Sequence, residues 1–331
     1  MLTGFNVGQG DSCLLESDFR CIFDEASLLI DCGIQKAKVS ARFSKPRISV
    51  MLTHSHQDHI GGFPSILRTK AVERIYIPFY MPEIMRITKF LGKHASSAKL
   101  GHIDWSKIAK IDWNKFDSAN MGKIRKFQTQ GLYFVKEGDE LCTHAKILNP
   151  PSNPRLHYPD FFGAEEISIE AALDGLREMG LELPREEILD YSPPQILSTL
   201  SPDLDDEYPQ LARQYVHYFF RSLYGRLRFS ARSGFEYHLA AHLELTANQA
   251  SIVMRYEDPN KDVWLFTGDA DQRVFERIIK EKKFSLKAHY LKVPHHGSRE
   301  NLSREVLKEI DPLVAIISHK NRKFGRSRDT H

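Results

Sequence analysis

The chain has 331 residues, of which 41% are hydrophobic and 27% charged. That balance excludes a disordered or fibrous chain and allows one sizeable core with an accessory element. Lysine and arginine total 46 against 43 aspartate and glutamate, so any nucleic acid would be held by a local cluster, not by the field of the whole molecule. No run approaches a membrane span, Met1–Gly4 leads directly into an expected core strand with no room for a signal peptide, and Cys13, Cys21, Cys32 and Cys142 show no C-x-x-C spacing. A cytoplasmic protein with buried, reduced thiols and no membrane contact is expected.

In chain order, the first element with chemical content is Leu28-Leu29-Ile30, which reads as a strand ending in Asp31. The next, Ile48 to Thr53, delivers His54-Ser55-His56-Gln57-Asp58-His59. At the end of an extended segment His54 and His56 point to one side, because side-chain direction repeats every second residue. The turn that follows adds Asp58 and His59, giving four candidate ligands within six positions. Imidazole together with carboxylate suits zinc and related first-row metals.

Further along, Ile169, Ala172, Leu173, Leu176 and Met179 keep helical spacing, and Pro184, Pro193, Pro194 and Pro202 then break the chain into short pieces. A second helix from about Tyr208 carries Leu211, Tyr215, Tyr218, Phe219 and Leu223 on one side, accompanied by Arg213, Arg221, Arg226, Arg228 and Arg232. Three readings stay open: aromatics packed on the core with arginines in water, a protein interface, or direct substrate contact. Leu243 and Leu245 suggest a strand, with His242 either on its exposed face or standing in as a metal ligand. Val263–Phe266 reads as a strand ending in Thr267-Gly268-Asp269, where a carboxylate after glycine can reach between two cations. Tyr290–Pro294 ends in His295-His296-Gly297-Ser298. Past Ala315–Ser318, Lys320, Arg322, Lys323, Arg326 and Arg328 crowd the C-terminus, as a phosphate-binding cluster or as a solvated tail.

Taken together these motifs resemble metallo-β-lactamase-fold hydrolases, and specifically the ComEC-type branch that accompanies DNA-uptake channels. The strings that carry the resemblance are Phe5 to Ser12, the Asp31 strand, His54 to Gly62, Asn248 to Val253, Thr267-Gly268-Asp269, Lys292 to Ser298, and Ala315 to Ser318 with Asn321 and Phe324-Gly325. They cover about 1–152 and 236–325. The resemblance implies an α/β fold, an αββα sandwich of two mixed sheets, made of 1–152 and 236–331 with a mainly helical insertion at 153–235. It implies two divalent ions, zinc or manganese with magnesium as a further option. His54 and His56 would hold one, Asp58, His59 and His296 the other, and Asp269 would bridge them. His295 would donate a proton to the leaving group or support the ligands, and the His295–His296 pair could exchange roles. Asp31 would brace the histidine loop, with metal binding as its alternative role. Asp11, Ser298, Lys320, Asn321 and Arg322 would face a ligand or phosphate.

Two departures stand out. Where many superfamily members place a third histidine on the first ion, this chain has Asn248, whose carbonyl oxygen would favour manganese or magnesium over zinc. After Phe324-Gly325 the family's final His-Pro and helix do not follow, so either the sandwich lacks that helix or the chain is part of a longer polypeptide.

The expected function is a two-metal phosphodiesterase, most plainly a nuclease, in which two cations lower the pKa of a shared water to about 7 and Asp58 or Asp269 accepts its proton. The alternatives are a hydrolase of a small ester, lactam or cyclic nucleotide, and a metal-bearing adaptor within a multi-protein assembly that binds a partner through 153–235. No G-x-S-x-G, catalytic cysteine string or P-loop occurs, which removes serine, cysteine and NTPase routes.

Overall fold

The structure is a computed structural model that describes residues 2–8, 10–16, 27–95, 131–158, 163–195, 197, 201, 204, 206–229 and 235–319. Alternation along its strands sets the layers. In β3 (Ser27–Ile30), Leu28 and Ile30 enter one apolar cluster while Leu29 enters another. In β4 (Arg47–Met51), Ile48 and Val50 join Leu29, and Met51 joins Leu28. Strands covered on both faces read as continuous apolar runs, which is why these segments were visible in the sequence.

The first sheet runs in the order β1 (Leu2–Gly4), β2 (Cys13–Leu15), β3, β4, β5 (Ala71–Pro78), β6 (Gly131–Val135). Its first two pairings are antiparallel and the remaining three parallel. The second sheet comprises β7 (Glu140–Cys142), β8 (Ala145–Asn149), β9 (Val253–Glu257), β10 (Val263–Phe266), β11 (Tyr290–Lys292) and β12 (Val314–Ile316). It is antiparallel up to β10 and parallel beyond. Leu28, Ile30, Met51 and Tyr76 of the first sheet meet Ile147, Met254, Tyr256 and Phe266 of the second in the middle layer.

Helices close both outer faces. On the second sheet, α8 (Gln272–Glu281) and α9 (Arg304–Ile310) bury Val274, Phe275, Ile278, Val306 and Ile310. On the first lie α1 (Gln57–Ile60), α2 (Phe63–Thr69), α3 (Met81–Ala95), α4 (Ile169–Glu178), α5 (Arg185–Leu189), α6 (Tyr208–Leu227) and α7 (Phe235–Gln249). The molecule is therefore the αββα sandwich with two mixed sheets.

In α6, Tyr208, Ala212, Tyr215, Phe219, Leu223 and Leu227 recur every three to four residues and are all buried, the stripe that packs a helix on a core. Its arginines do not simply face water. Arg213 donates to the Tyr191 carbonyl (2.9 Å), and Arg221 donates to the Ala164 carbonyl (3.2 Å) and lies 5.0 Å from the Tyr218 ring. Arg232 and the basic tail from Lys320 lie outside the described residues.

Two local expectations are corrected. Leu243 and Leu245 belong to a helix, α7, because Leu239, Leu243 and Ala247 repeat every four residues and outweigh the short alternation. His242 is consequently buried between Tyr158 and Phe219, ring centroids 5.9 and 5.0 Å away, and burial pushes its imidazole down to about 3. The second correction concerns β1: it is a sheet edge and not a core strand, with Leu2 half-buried and Gly4 exposed. Cys13, Cys32 and Cys142 are unbridged, and burial pushes the Cys13 thiol up to about 12. Among the described residues no helix is long and apolar enough to cross a membrane.

Candidate metal centre

The ends of β3, β4, β10 and β11 converge at one edge of the sandwich, and each carries a chemical group of interest. Asp31, just past β3 at φ +58°, is a hub. One carboxylate oxygen accepts the Thr53 N–H (2.8 Å), and the other accepts the Thr53 hydroxyl (2.7 Å) and His59 Nδ1–H (2.8 Å). With its proton committed to Asp31, the Thr53 oxygen accepts from His54 Nδ1 (3.2 Å). His296 Nδ1 donates to the Ser318 carbonyl (2.9 Å).

These partners fix the tautomers. Each of the three Nδ1 atoms carries the hydrogen, so each neutral ring presents its Nε2 lone pair. Those lone pairs face carboxylate oxygens: His54 Nε2 is 3.6 Å and His59 Nε2 3.3 Å from Asp269, and His296 Nε2 is 3.2 Å from Asp58. Acceptor against acceptor at such distances needs an added proton or a cation between them. His54 Nε2, His59 Nε2 and Asp269 Oδ1 are buried and have no hydrogen-bond partner, as metal ligands would be.

Among the described residues three clusters are spaced to hold a metal ion: His54, His59 and Asp269; Asp58, His59 and His296; and Asp11, Asp31 and His59. The first two fit a cation by their donor chemistry. In the third, Asp31 is already saturated by three donors, and Asp11 accepts from Lys292 Nζ (2.7 Å). His56 belongs to none of the three; it caps α1 with its ring centroid 4.6 Å from that of His54.

Electrostatics express the same crowding. Burial would depress His59, but the carboxylates of Asp269, Asp31 and Asp58 outweigh it and hold the imidazole well above its usual range. Burial would raise Asp269, yet His59 and His54 hold it well below the carboxylate range. Asp58 follows the same pattern, with His59 and His296 overcoming its burial. His54 is lowered, chiefly by burial and then by His59.

Glycines let the chains approach this closely. At Gly10 (φ +125°) a Cβ would lie 2.2 Å from the Asp58 carbonyl oxygen. At Gly268 (φ +50°) it would lie 2.9 Å from the Thr53 side chain, so Asp269 reaches the histidines only because residue 268 lacks one.

His295, at φ +45°, is half-buried beside the clusters and outside them. Its Nδ1 meets Asn301 Oδ1 at 3.1 Å, and Asn301 Nδ2 donates to the carbonyls of Asp269 and Ala270 (3.1 and 3.0 Å). That orients the amide, makes Oδ1 the acceptor, and leaves His295 with Nδ1–H and a lone pair on Nε2. Asn248 is buried and lines a cavity with His295 and Asn301. Ser298 donates its N–H to the His295 carbonyl (2.9 Å), closing the turn. Lys320, Asn321 and Arg322 lie outside the described residues. Sequence reading missed Asn301, which lies six residues past His295 and has no motif of its own, and missed the pairing of Lys292 with Asp11 across 281 residues.

Residues 7–166 match the family model for the metallo-beta-lactamase superfamily. The sandwich of two mixed sheets matches the architecture of the metallo-beta-lactamase fold. A solved archaeal metallo-beta-lactamase superfamily protein from Sulfolobus tokodaii is similar at 12% identity, covering 67% of this chain and 97% of that one with a TM-score of 0.28. No curated protein matches. The two-sheet sandwich accounts for the place of the clusters, since β3 and β4 of one sheet and β10 and β11 of the other end at this edge.

Proposed function

We propose that this protein is a two-metal phosphodiesterase that cleaves nucleic acid, with zinc or manganese as its ions. The observation that carries the reading is the set of three Nε2 lone pairs turned on the carboxylates of Asp58 and Asp269, donors that would suit two cations, with His59 available to one of them. Two divalent ions supply a water acidic enough to be a nucleophile near neutral pH and stabilise the entering and leaving oxygens.

The chain's own residues supply the rest. Asp31 and Thr53 hold His59 and His54 in the tautomer that presents Nε2. Asp58, half-buried, is the group that takes the proton from the attacking water. His295 has Nδ1 occupied by Asn301, so when protonated it donates from Nε2 to the departing oxygen. The motif resemblance to the ComEC-type branch supports a phosphodiester, and so does the basic cluster of Lys320, Arg322 and Lys323 in the sequence.

A cavity of about 580 Å³ beside His295 favours a second reading, hydrolysis of a small ester or cyclic nucleotide, because that volume is typical of small-molecule sites. A metal-by-substrate screen separates the two. Single-stranded DNA, duplex DNA, RNA and bis-p-nitrophenyl phosphate are each incubated with zinc, manganese or magnesium, beside a His56→Ala/Asp58→Ala control. Polynucleotide cleavage that the control lacks is the expected result. Turnover of the small diester alone moves the assignment to the second reading, and no hydrolysis of any substrate removes both.

A further inference from the structure

Asp58 and His296 reach the second cluster from different sheets, Asp58 from the turn after β4 and His296 from the turn after β11. One loop, between β1 and β2, touches both. The Asp11 N–H donates to the Asp58 carbonyl (3.3 Å), and the Asp11 carbonyl accepts the Gly33 N–H (2.9 Å), which ties the loop to the first sheet. The Asp11 side chain turns to the second sheet, where its Oδ2 accepts from Lys292 Nζ (2.7 Å) at the end of β11. Lys292 Nζ also donates to the Val293 carbonyl (2.9 Å), at the start of the turn that carries His296. Beyond that turn, the Ser318 hydroxyl donates to the Gly10 carbonyl (2.7 Å), while the Ser318 carbonyl accepts His296 Nδ1–H (2.9 Å).

That turn needs holding. His295 and His296 follow one another at φ +45° and +54°, a region that L side chains adopt at a cost and keep only where their surroundings fix it. Asp11 and Lys292 are 4% and 6% exposed. A buried ion pair is often no more stabilising than apolar side chains of the same volume. What it contributes is direction, because a charge-assisted bond fixes where its two chains meet. The other carboxylate oxygen, Oδ1, is buried without a hydrogen-bond partner, 3.8 Å from His296 Nδ1. That is too far for a hydrogen bond and close enough for the negative charge to make the ring a better donor at Nε2.

Resting on the two-ion part of the reading above, we infer that Asp11 and Lys292 are positioning residues for the second cation. Their ion pair, with Ser318, holds the turn at 293–297 so that His296 Nε2 faces Asp58. Without the pair, the site of Asp58 and His296 loosens and the site of His54 and Asp269 keeps its affinity.

The test adds zinc in steps to the metal-free full chain against a competing chelator. Loss in His54→Ala assigns one binding step, and loss in His296→Ala assigns the other. Asp11→Val/Lys292→Met replaces both charges with apolar side chains of similar volume. In that variant the His296-dependent step weakens by about tenfold or more, and the His54-dependent step stays within about twofold of the unmodified chain. A merely structural role would weaken both alike. Retention of both steps, or equal weakening of both in a variant that still unfolds cooperatively in urea, overturns the inference. Should the double variant lack that transition, Asp11→Asn, which keeps the shape and an acceptor for Lys292, decides on the same two steps. Two steps in the unmodified chain with no cleavage of polynucleotide remove the phosphodiesterase reading and leave this inference standing. A single step in the unmodified chain overturns this inference together with the two-ion reading.

Discussion

Asp31 accepts three hydrogen bonds on two oxygens, and through Thr53 and His59 it sets the orientation of two histidines it does not accompany in sequence. Asp31→Asn keeps a residue tolerant of φ +58° and removes the charge. The expected outcome is a folded protein whose metal affinity falls about 10–100-fold, read by equilibrium dialysis against a competing chelator; unchanged affinity would remove Asp31 from the orienting role. Gly10→Ala tests close approach. Its Cβ would sit 2.2 Å from the Asp58 carbonyl oxygen, so the turn must shift, costing about 1–3 kcal/mol and lowering metal affinity as well, both measurable by urea titration with and without metal. The string of candidate ligands was legible because H-x-H-x-D-H packs four possible donors into six residues, of which His54, Asp58 and His59 enter the clusters and His56 does not. Asn301 was not, because an asparagine that bonds two carbonyls and one imidazole looks in sequence like any loop asparagine.

Among the elements, α3 carries a feature with a pH signature. Glu83 is fully buried and accepts from the Tyr208 and Tyr191 hydroxyls (2.9 and 3.1 Å). Burial pushes its carboxyl from an ordinary 4.5 up to about 7, against the opposing pull of those hydrogen bonds. Below 4.5 both folded and unfolded chains hold the proton. Between 4.5 and 7 the unfolded chain releases it first, so stability declines as pH rises through that window and levels off above it, by on the order of 3 kcal/mol in total. Glu83→Gln should abolish the decline, so that its stability relative to the unmodified protein improves from pH 5 to pH 8 in urea titrations; parallel pH profiles would sink the idea. Element type was readable where one pattern ran long, as in α6. It failed in α7, where three residues of alternation masked a four-residue repeat that needed Leu239 and Ala247 to be seen.

For the molecule as a whole, α6 packs into the core of the first sheet. Phe219 on α6 is fully buried in the cluster that also contains Leu29, Ile48 and Val50 of the first sheet. Phe219→Ala should cost about 3–5 kcal/mol and shift one cooperative unfolding transition; a separate early transition would mean that the segment melts alone. Metal should act on the same scale, because the clusters draw ligands from both sheets. Saturating zinc or manganese raises the unfolding midpoint and excess chelator lowers it, whereas a midpoint indifferent to metal would count against the centre. The sandwich itself was legible only through the motifs that carry the family resemblance, since the strand runs alone do not say how two sheets stack. The contact between Lys292 and Asp11 was not, since 281 residues separate them and only the closed fold brings them together.

The division of labour between the two sheets bears on how the protein is made. Strands β1 to β6 all precede the turn at 136–139, and β7 to β12 all follow it, yet α4 to α7, which cover the first sheet, are encoded after that turn. As the chain leaves the ribosome, the first sheet therefore emerges with its inner face bare and its outer face only partly covered. His54, His59 and Asp58 emerge with it, well before Asp269 and His296. The early half has no finished core to settle into until α6 arrives, and no complete ligand set until β10 and β11 follow. The two sheets can close on each other only once β10 and β11 have been made, and the waiting half, with parallel strands uncovered, is the stage that depends most on protection from aggregation.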